Sequence, residues 1–375
     1  MNNNDFVSTV APLLSVVVPC YNEVDNVEEL THRLAETLQG ISWEVIFVDD
    51  DSPDKTSQKV ADLAFQNPRV RLVHRIGRRG LSSACVEGML SSSAPYLAVM
   101  DADLQHDETL LPDMLTALRS QQLDIVVGSR YTNGGDIGGW DAKRAAYSRF
   151  ATRISRYFTQ TELTDPMSGF FMIRREVLMQ RVRRLSSVGF KILLDLFASS
   201  STPMNFLELP YTFKERHAGE SKLDNRALLE FGMLLLDKWM GHLVPVRFVA
   251  FTLVGGIGLF VHFLVLLLVF RIISSSFILG QTAATLVAMT TNYLLNNFFT
   301  YNDVQLKGWK LLTGWFSFIL VCGIGAAANV GIASLLFQRH TNWMLSALAG
   351  IGVSSVWNYA VTAVYTWRAP SIGTK

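Results

Sequence analysis

Charge is spread so unevenly along this 375-residue chain that it separates two chemically different halves. Almost all acidic and basic residues precede Leu243, whereas residues 246–367 carry only a handful. That second half reads as four apolar spans, 246–270, 277–299, 311–337 and 343–367, each long enough to cross a hydrocarbon core of about 30 Å at about 1.5 Å per residue. One such stretch can be the core helix of a soluble protein, but four in succession argue against it. The expected architecture is therefore a charged, water-facing domain followed by an all-α, four-helix membrane domain.

The residues flanking the spans set an orientation. Lys238 and Arg247 precede the first, Lys307 and Lys310 separate the second from the third, and Arg368 and Lys375 follow the fourth, against only Arg271 and Arg339 on the other side. The positive-inside rule then places both termini and the soluble half in the cytoplasm, at the inner cell membrane. Residues 1–10 lack the basic and apolar regions of a cleaved signal peptide, in keeping with that expectation.

The membrane half also repeats itself. Gly256-Ile257-Gly258 recurs as Gly323-Ile324-Gly325, and Asn292-Tyr293 recurs as Asn358-Tyr359. Two hairpins of two helices are expected, duplicated in one orientation because each has an even number of crossings. No span holds an acid or a lysine, so the intramembrane charges of an ion-coupled transporter are missing.

In the first half, strand and helix signals alternate: strand 13–18, helix 27–38, strand 43–48, helix 56–65, strand 70–73, helix 81–91 and strand 96–100. This order predicts an α/β domain, Rossmann-like, with a mainly parallel sheet, in which ligands bind beyond the carboxyl ends of the strands. At those ends stand "PCYNE" (19–23), "VDDDSPD" (48–54) and "DADLQ" (101–105). Each alone has an ordinary reading as turn chemistry, but three on one edge point to a site. Neither glycine-rich nucleotide fingerprint is present. Carboxylate-rich ends suit a divalent cation instead. If the segment after Met100 is extended, Asp101, Asp103 and Gln105 share a side, and their oxygens suit Mg²⁺ or Mn²⁺ completed by substrate phosphates. Three cysteines, Cys20, Cys85 and Cys322, form neither a disulfide framework nor a zinc pattern.

The ordered string "VVVPCYNE", "VDDDSPD", "DADLQH", "GSRY", "DPMSGFF", "GFK" and "ERHAGESKL" resembles the motifs of family 2 glycosyltransferases with a GT-A fold. It is most similar to the branch of dolichol-phosphate mannose synthases and polyprenyl-phosphate glucosyltransferases. The membrane half resembles the GtrA-like domain. The resemblance implies that Pro19, Tyr21, Glu23, Val48 and Asp50 hold the nucleoside, and that Asp101, Ala102, Asp103 and Gln105 hold the metal and the donor diphosphate. It further implies Arg130 near the phosphates, Arg144 and Ser148 with it at the acceptor lipid phosphate, Asp165 near the sugar, and Lys191, Arg216 and Lys222 closing over the donor. Asp103, Arg130 and Asp165 are the expected catalytic set.

The implied reaction is inverting transfer of a hexose, mannose favoured, from a nucleotide sugar to a polyprenyl or dolichyl phosphate. GDP-mannose is the favoured donor and UDP-glucose the next; the bilayer is a partner and nucleic acid is not. Expected boundaries are 1–226 for the catalytic domain, 227–243 for an amphipathic interfacial helix and 244–375 for the membrane domain. Two other readings remain at this point. A processive polysaccharide synthase lacks support because Q-x-x-R-W is absent; a glycolipid-translocating membrane protein belongs to another class.

Overall fold

The computed structural model describes residues 11–134, 161–186, 191–200, 202–213, 232, 234, 245–269, 277–301, 304–339 and 342–367. The chain divides into two compact units, 1–239 and 240–375. Arg144, Ser148, Arg216, Lys222 and the interfacial helix expected over 227–243, apart from Gly232 and Leu234, lie outside the described residues.

In the first unit the described strands are β1 (Leu14–Cys20), β2 (Trp43–Asp49), β3 (Val70–His74), β4 (Tyr96–Val99), β5 (Ile125–Ser129), β6 (Phe171–Arg174) and β7 (Phe206–Pro210). They form one sheet in the order β3-β2-β1-β4-β6-β5-β7. β1 pairs in parallel with β2 and β4, β2 with β3, and β5 with β7, whereas β6 runs antiparallel between β4 and β5. The helices are α1 (Val27–Thr37), α2 (Thr56–Gln66), α3 (Leu81–Ser91), α4 (Leu111–Ser120), α5 (Arg175–Arg181) and α6 (Ile192–Ala198).

The fully buried runs of β1 and β2 require cover on both faces. Alternation along β1 divides the core accordingly. Val16 and Val18 pack with Val27, Leu30 and Leu34 of α1 and with Met114 and Leu118 of α4. Val17 packs on the other face with Ala84, Cys85 and Met89 of α3. There a side chain at Gly88 would collide with Val17 and Val48, so α3 lies close against the sheet only because that residue lacks a Cβ. The α/β expectation holds, with boundaries shifted by a residue or two. β1 continues through Pro19, which pairs with Val48, because a proline forfeits only its own donor and the Cys20 carbonyl still accepts from the Asp50 amide at 3.1 Å.

The second unit contains, among its described residues, four long helices: α7 (Val246–Leu268), α8 (Phe277–Leu295), α9 (Trp309–Gln338) and α10 (Trp343–Tyr365). They fall on the four expected spans, and α8 runs on into a π turn, Asn296–Thr300. α7 and α9 are each long and apolar enough to cross a membrane. α8 and α10 carry more polar side chains, among them Gln281, Thr285, Asn292, Ser354 and Asn358.

α7 packs on α8 and α9 on α10, and the sequence repeat has a direct structural counterpart. Gly258 of α7 lies against the Asn292 side chain of α8, and Gly325 of α9 lies against Asn358 of α10 in the same way. The tyrosine that follows each asparagine reaches the other hairpin. The Tyr293 hydroxyl donates to the Leu311 carbonyl at 2.6 Å and its ring meets Phe318, both on α9. Tyr359 packs edge-on against Phe248 and Phe251 of α7, with centroids 5.3 and 5.9 Å apart. Each Asn-Tyr pair thus closes its own hairpin with one residue and clasps the other hairpin with the next. Trp367 adds a lock: it stacks on Tyr301 at 4.2 Å and donates from Nε1 to Asn297 Oδ1 at 3.0 Å.

A methyl group at Gly258 or Gly325 would overlap the facing asparagine, an overpacking that typically costs about 1–3 kcal/mol. Gly258→Ala and Gly325→Ala are each expected to lower the thermal midpoint of the detergent-solubilised protein, whereas Gly256→Ala, with open space around it, leaves the midpoint unchanged.

Candidate active site

Three strand ends converge above the middle of the sheet. The loops after β1 and β2 are stitched side by side: the amides of Asn22, Glu23 and Val24 donate to Ser52 Oγ, Thr56 Oγ1 and Asp54 Oδ2 at 3.0, 3.0 and 3.2 Å. Asn22 and Asp51 adopt positive φ, which short side chains with local hydrogen bonds tolerate best. The acidic run that ends β2, Asp49 to Asp51, is three separate devices. Asp49, fully buried, accepts from the Ser52 hydroxyl at 2.5 Å and from its amide at 3.1 Å. Asp50, also buried, receives Arg75 Nη1 at 2.6 Å on one oxygen and the Gly80 amide at 2.7 Å on the other. Burial raises its pKa despite both contacts. Asp51 accepts from the Gly77 amide at 3.1 Å.

Of the expected nucleoside residues, Pro19 and Val48 are paired neighbours on β1 and β2, Tyr21 and Glu23 follow on the first loop, and Asp50 lies beside Cys20. The Glu23 carboxylate accepts from Asn26 Nδ2 at 2.8 Å, which holds it at the mouth of α1.

After β4 the expected extended segment is instead a turn. Leu104 has a φ of +61°, and Asp103 Oδ1 accepts from the Gln105 amide at 3.3 Å. Asp101, Asp103 and Gln105 therefore do not alternate as they would along a strand; a local side-chain hydrogen bond offers the backbone an alternative to continued strand. Asp103 and Gln105 are buried, while the Asp101 side chain keeps 37% of its surface. Dense protein around Asp101 raises its pKa by desolvation; Asp103 raises it further, and His106, Lys191 and Arg130 oppose the rise.

His106, the last residue of "DADLQH", has no role in the sequence expectation and gains one here. Its Nδ1 accepts from the Asp101 amide at 3.0 Å, so the proton of the neutral ring sits on Nε2, 3.8 Å from Asp101 Oδ2. The ring is 2% exposed, stacked on Phe170 and edged by Tyr211 and Phe213, and it supports the turn from below. Gly169 lets a neighbouring segment approach: a side chain there would meet Asp101 Oδ2 at 3.3 Å.

Opposite the carboxylates stands a cation. Arg130, at the end of β5, donates from Nε and Nη2 to the two oxygens of Asp165 at 2.8 Å each, and its amide reaches Asp165 Oδ2 at 3.2 Å. Burial disfavours the charge of Arg130, but the Asp165 fork outweighs it and holds the group above its ordinary range. Asp165 is fully buried, with both oxygens committed. Its backbone is held in turn by Glu208 of β7, which accepts from the Asp165 amide at 3.1 Å and from the Thr164 amide and hydroxyl at 2.9 and 2.8 Å. Lys191, whose Nζ lies 3.4 Å from the Met167 carbonyl, is the second cation near Asp101. Glu208 belongs to none of the motifs, and its signal exists only once distant strands are paired; His106 closes the string "DADLQH", but only the folded turn shows what its ring does.

The geometry unites Asp101, Asp103, Gln105, Arg130, Asp165 and Lys191. Among the described residues no group of three or more His, Cys, Asp or Glu is placed to hold a metal ion. Two neighbouring carboxylates of like charge still make a fitting seat for a hard cation, because Mg²⁺ commonly takes one or two carboxylates and completes its shell with water and substrate phosphate.

Residues 15–182 match glycosyl transferase family 2, and residues 250–367 match the GtrA/DPMS transmembrane domain. The chain is 33% identical over 360 residues to a dolichol-phosphate mannosyltransferase of Pyrococcus furiosus, covering 94% of this chain and 99% of that one. A dolichol-phosphate mannosyltransferase of Saccharomyces cerevisiae is 37% identical over 226 residues, 58% of this chain and 83% of the relative. Among solved structures, glucosyl-3-phosphoglycerate synthase from Mycobacterium tuberculosis, in complex with Mn²⁺, UDP and glucosyl-3-phosphoglycerate, gives a TM-score of 0.46 at 17% identity, covering 60% of this chain and 80% of that chain. A relative matched along nearly its whole length, together with both domain matches, makes this membrane protein a member of the dolichol-phosphate mannosyltransferases of glycosyl transferase family 2.

Proposed function

We propose that this protein transfers mannose from GDP-mannose to a polyprenyl or dolichyl phosphate, with inversion at the anomeric carbon. The observation that carries the reading is that Asp103, Lys191 and Arg130 all lie close enough to act on the charge of Asp101, acids for a metal beside cations for phosphate. The relatives named dolichol-phosphate mannosyltransferase support mannose and dolichyl phosphate as substrates. They favour it over the glucosyltransferase and glycolipid-translocation alternatives.

Asp101 and Asp103, with Gln105, would hold Mg²⁺ or Mn²⁺, which supplies positive charge to the departing diphosphate. Pro19, Tyr21, Glu23, Val48 and Asp50 bind the nucleoside, and Ala102 lies under the diphosphate. Arg130 contributes fixed positive charge where the phosphates leave, and Asp165 acts through it, fixing the guanidinium plane. Both Asp165 oxygens are engaged by that cation, so it is not available to take a proton. None is needed: a phosphate monoester has a second pKa of about 6 and is an anionic nucleophile at neutral pH. What remains for the chain is alignment and charge stabilisation. Lys191 with Arg216 and Lys222 would close over the donor, and Arg144 with Ser148 would grip the acceptor phosphate beside Arg130.

The same proposal places the catalytic domain (1–226), an interfacial helix (227–243) and a four-crossing membrane domain (244–375) with both termini cytoplasmic at the inner cell membrane. The basic residues flanking the helices support that orientation.

Purified full-length protein, given polyprenyl phosphate and a panel of labelled nucleotide sugars, is expected to form lipid-phosphate mannose from GDP-mannose. Preferential transfer from UDP-glucose would overturn the donor assignment. Asp103→Ala is expected to abolish transfer while leaving the thermal midpoint near that of the parent protein.

The metal reading has a test that does not depend on turnover. Asp101 has a raised pKa, so its ionised form opposes folding. Stability from this group is greatest below the unfolded value and declines as pH rises from there through the raised folded value. At neutral pH and without metal, Asp101→Asn is therefore expected to raise the thermal midpoint. Added Mn²⁺ with GDP should stabilise the parent protein by mass action and leave the Asn variant unmoved. Equal stabilisation of both would contradict Asp101 as a ligand.

A further inference from the structure

The chain leaving β3 at the outer edge of the sheet does not turn directly into α3. It crosses above the carboxyl ends of β2 and β1 and is pinned on the way. The Gly77 amide donates to Asp51 at 3.1 Å, Arg75 donates to Asp50 and to Ser83 Oγ at 2.6 Å each, and the Gly80 amide donates to Asp50 at 2.7 Å. Gly80 has a φ of +145°, a conformation that side-chain-bearing residues rarely adopt, so the turn into α3 is set at that residue.

Arg79 is therefore held one residue from an anchor on Asp50, and its guanidinium carbon lies 4.2 Å from the centroid of the Tyr21 ring. The other two arginines of this loop are neutralised: Arg75 by Asp50 and Glu87, and Arg78 by Glu87 at 2.8 Å. Arg79 is exposed and, among the described residues, pairs with no carboxylate. A guanidinium lying over a ring engages its face and keeps its in-plane N–H donors for another partner. Tyr21 and Asp50, the two groups that fix Arg79 in place, are both nucleoside residues in the proposed function.

We propose that Arg79 forms the outer wall of the nucleoside pocket and reads the donor base as guanine. The inference rests on the GDP-mannose reading and deepens it to the origin of base choice. Guanine presents O6 and N7 side by side, the acceptor pair that an arginine fork matches, whereas uracil has no such pair. Tyr21 provides the platform that holds the fork flat, and the Asp50–Gly80 contact sets its height above the sheet.

The test uses the full-length protein in detergent: the parent, Arg79→Ala and Arg79→Lys, with donor and acceptor KM and kcat, and with GDP and UDP as competing inhibitors. Arg79→Ala is expected to raise the donor KM about tenfold and to change kcat less than about twofold, the signature of a contact made equally in the ground and transition states. GDP inhibition should weaken by the same factor while UDP inhibition moves less than about twofold, so base selectivity falls about tenfold. Arg79→Lys should not restore the preference, since a point charge cannot make the fork. An unchanged donor KM, equal weakening of GDP and UDP, or a rise in the acceptor KM alone would each overturn the proposal; the second would mark a phosphate contact and the third a contact with the lipid phosphate. Failure of the underlying reading looks different: the parent protein would itself make no use of GDP-mannose or show no preference for GDP over UDP.

Discussion

The buried fork between Arg130 and Asp165 is the contact on which the candidate active-site edge depends. Taking two charges out of water costs several kcal/mol per ion, and only a geometry that satisfies both partners offsets it. Here both carboxylate oxygens meet guanidinium nitrogens at 2.8 Å and the Arg130 amide adds a third contact. The fork ties the end of β5 to the segment that returns as β6, and Glu208 ties that same segment to β7. Removing one partner would leave an uncompensated buried charge, typically a loss of about 3–5 kcal/mol. A positively charged group is thereby held in place before any substrate arrives, as the proposed stabilisation of a departing diphosphate by Arg130 requires.

Against that fixed cation, the Asp101 and Asp103 carboxylates remain in electrostatic tension. His106 and Gly169 fix the turn, and the tension is what a divalent cation would relieve. The edge thus holds three distinct features: tension at the end of β4, fixed positive charge at the end of β5, and a stitched double loop over β1 and β2, where the proposed function puts the nucleoside. In the second unit the duplicated Gly–Asn contacts and exchanged tyrosines serve assembly of the two hairpins.

Much of this was legible in the sequence, for identifiable reasons. Strands β1 and β2 are continuous apolar runs ending in polar clusters, and α1 between them repeats apolar residues at helical spacing, so element order and the gathering of those clusters at one end of the sheet followed. The four long helices of the second unit announce themselves by length and composition, and their duplication by repeated residues whose structural equivalents are Gly258–Asn292 and Gly325–Asn358. Local pattern failed wherever one residue redirected the chain. Leu104 at positive φ turned a presumed extended run into a loop, and Asp103 bonded its own backbone. It failed again where partners lie far apart in sequence. β6 inserts antiparallel between β4 and β5, Glu208 acts on residues more than forty positions away, and Arg79 meets Tyr21 only because the loop after β3 crosses two strands.

The central claim is that an acceptor phosphate, already anionic, displaces the nucleoside diphosphate in one step, with no covalent intermediate and no proton acceptor from the chain. The configuration of the product tests this most directly. Lipid-phosphate mannose made by the purified protein from α-linked GDP-mannose can be read by the one-bond carbon–hydrogen coupling at its anomeric centre. The account predicts a β-mannosyl phosphate; an α-mannosyl phosphate would contradict it.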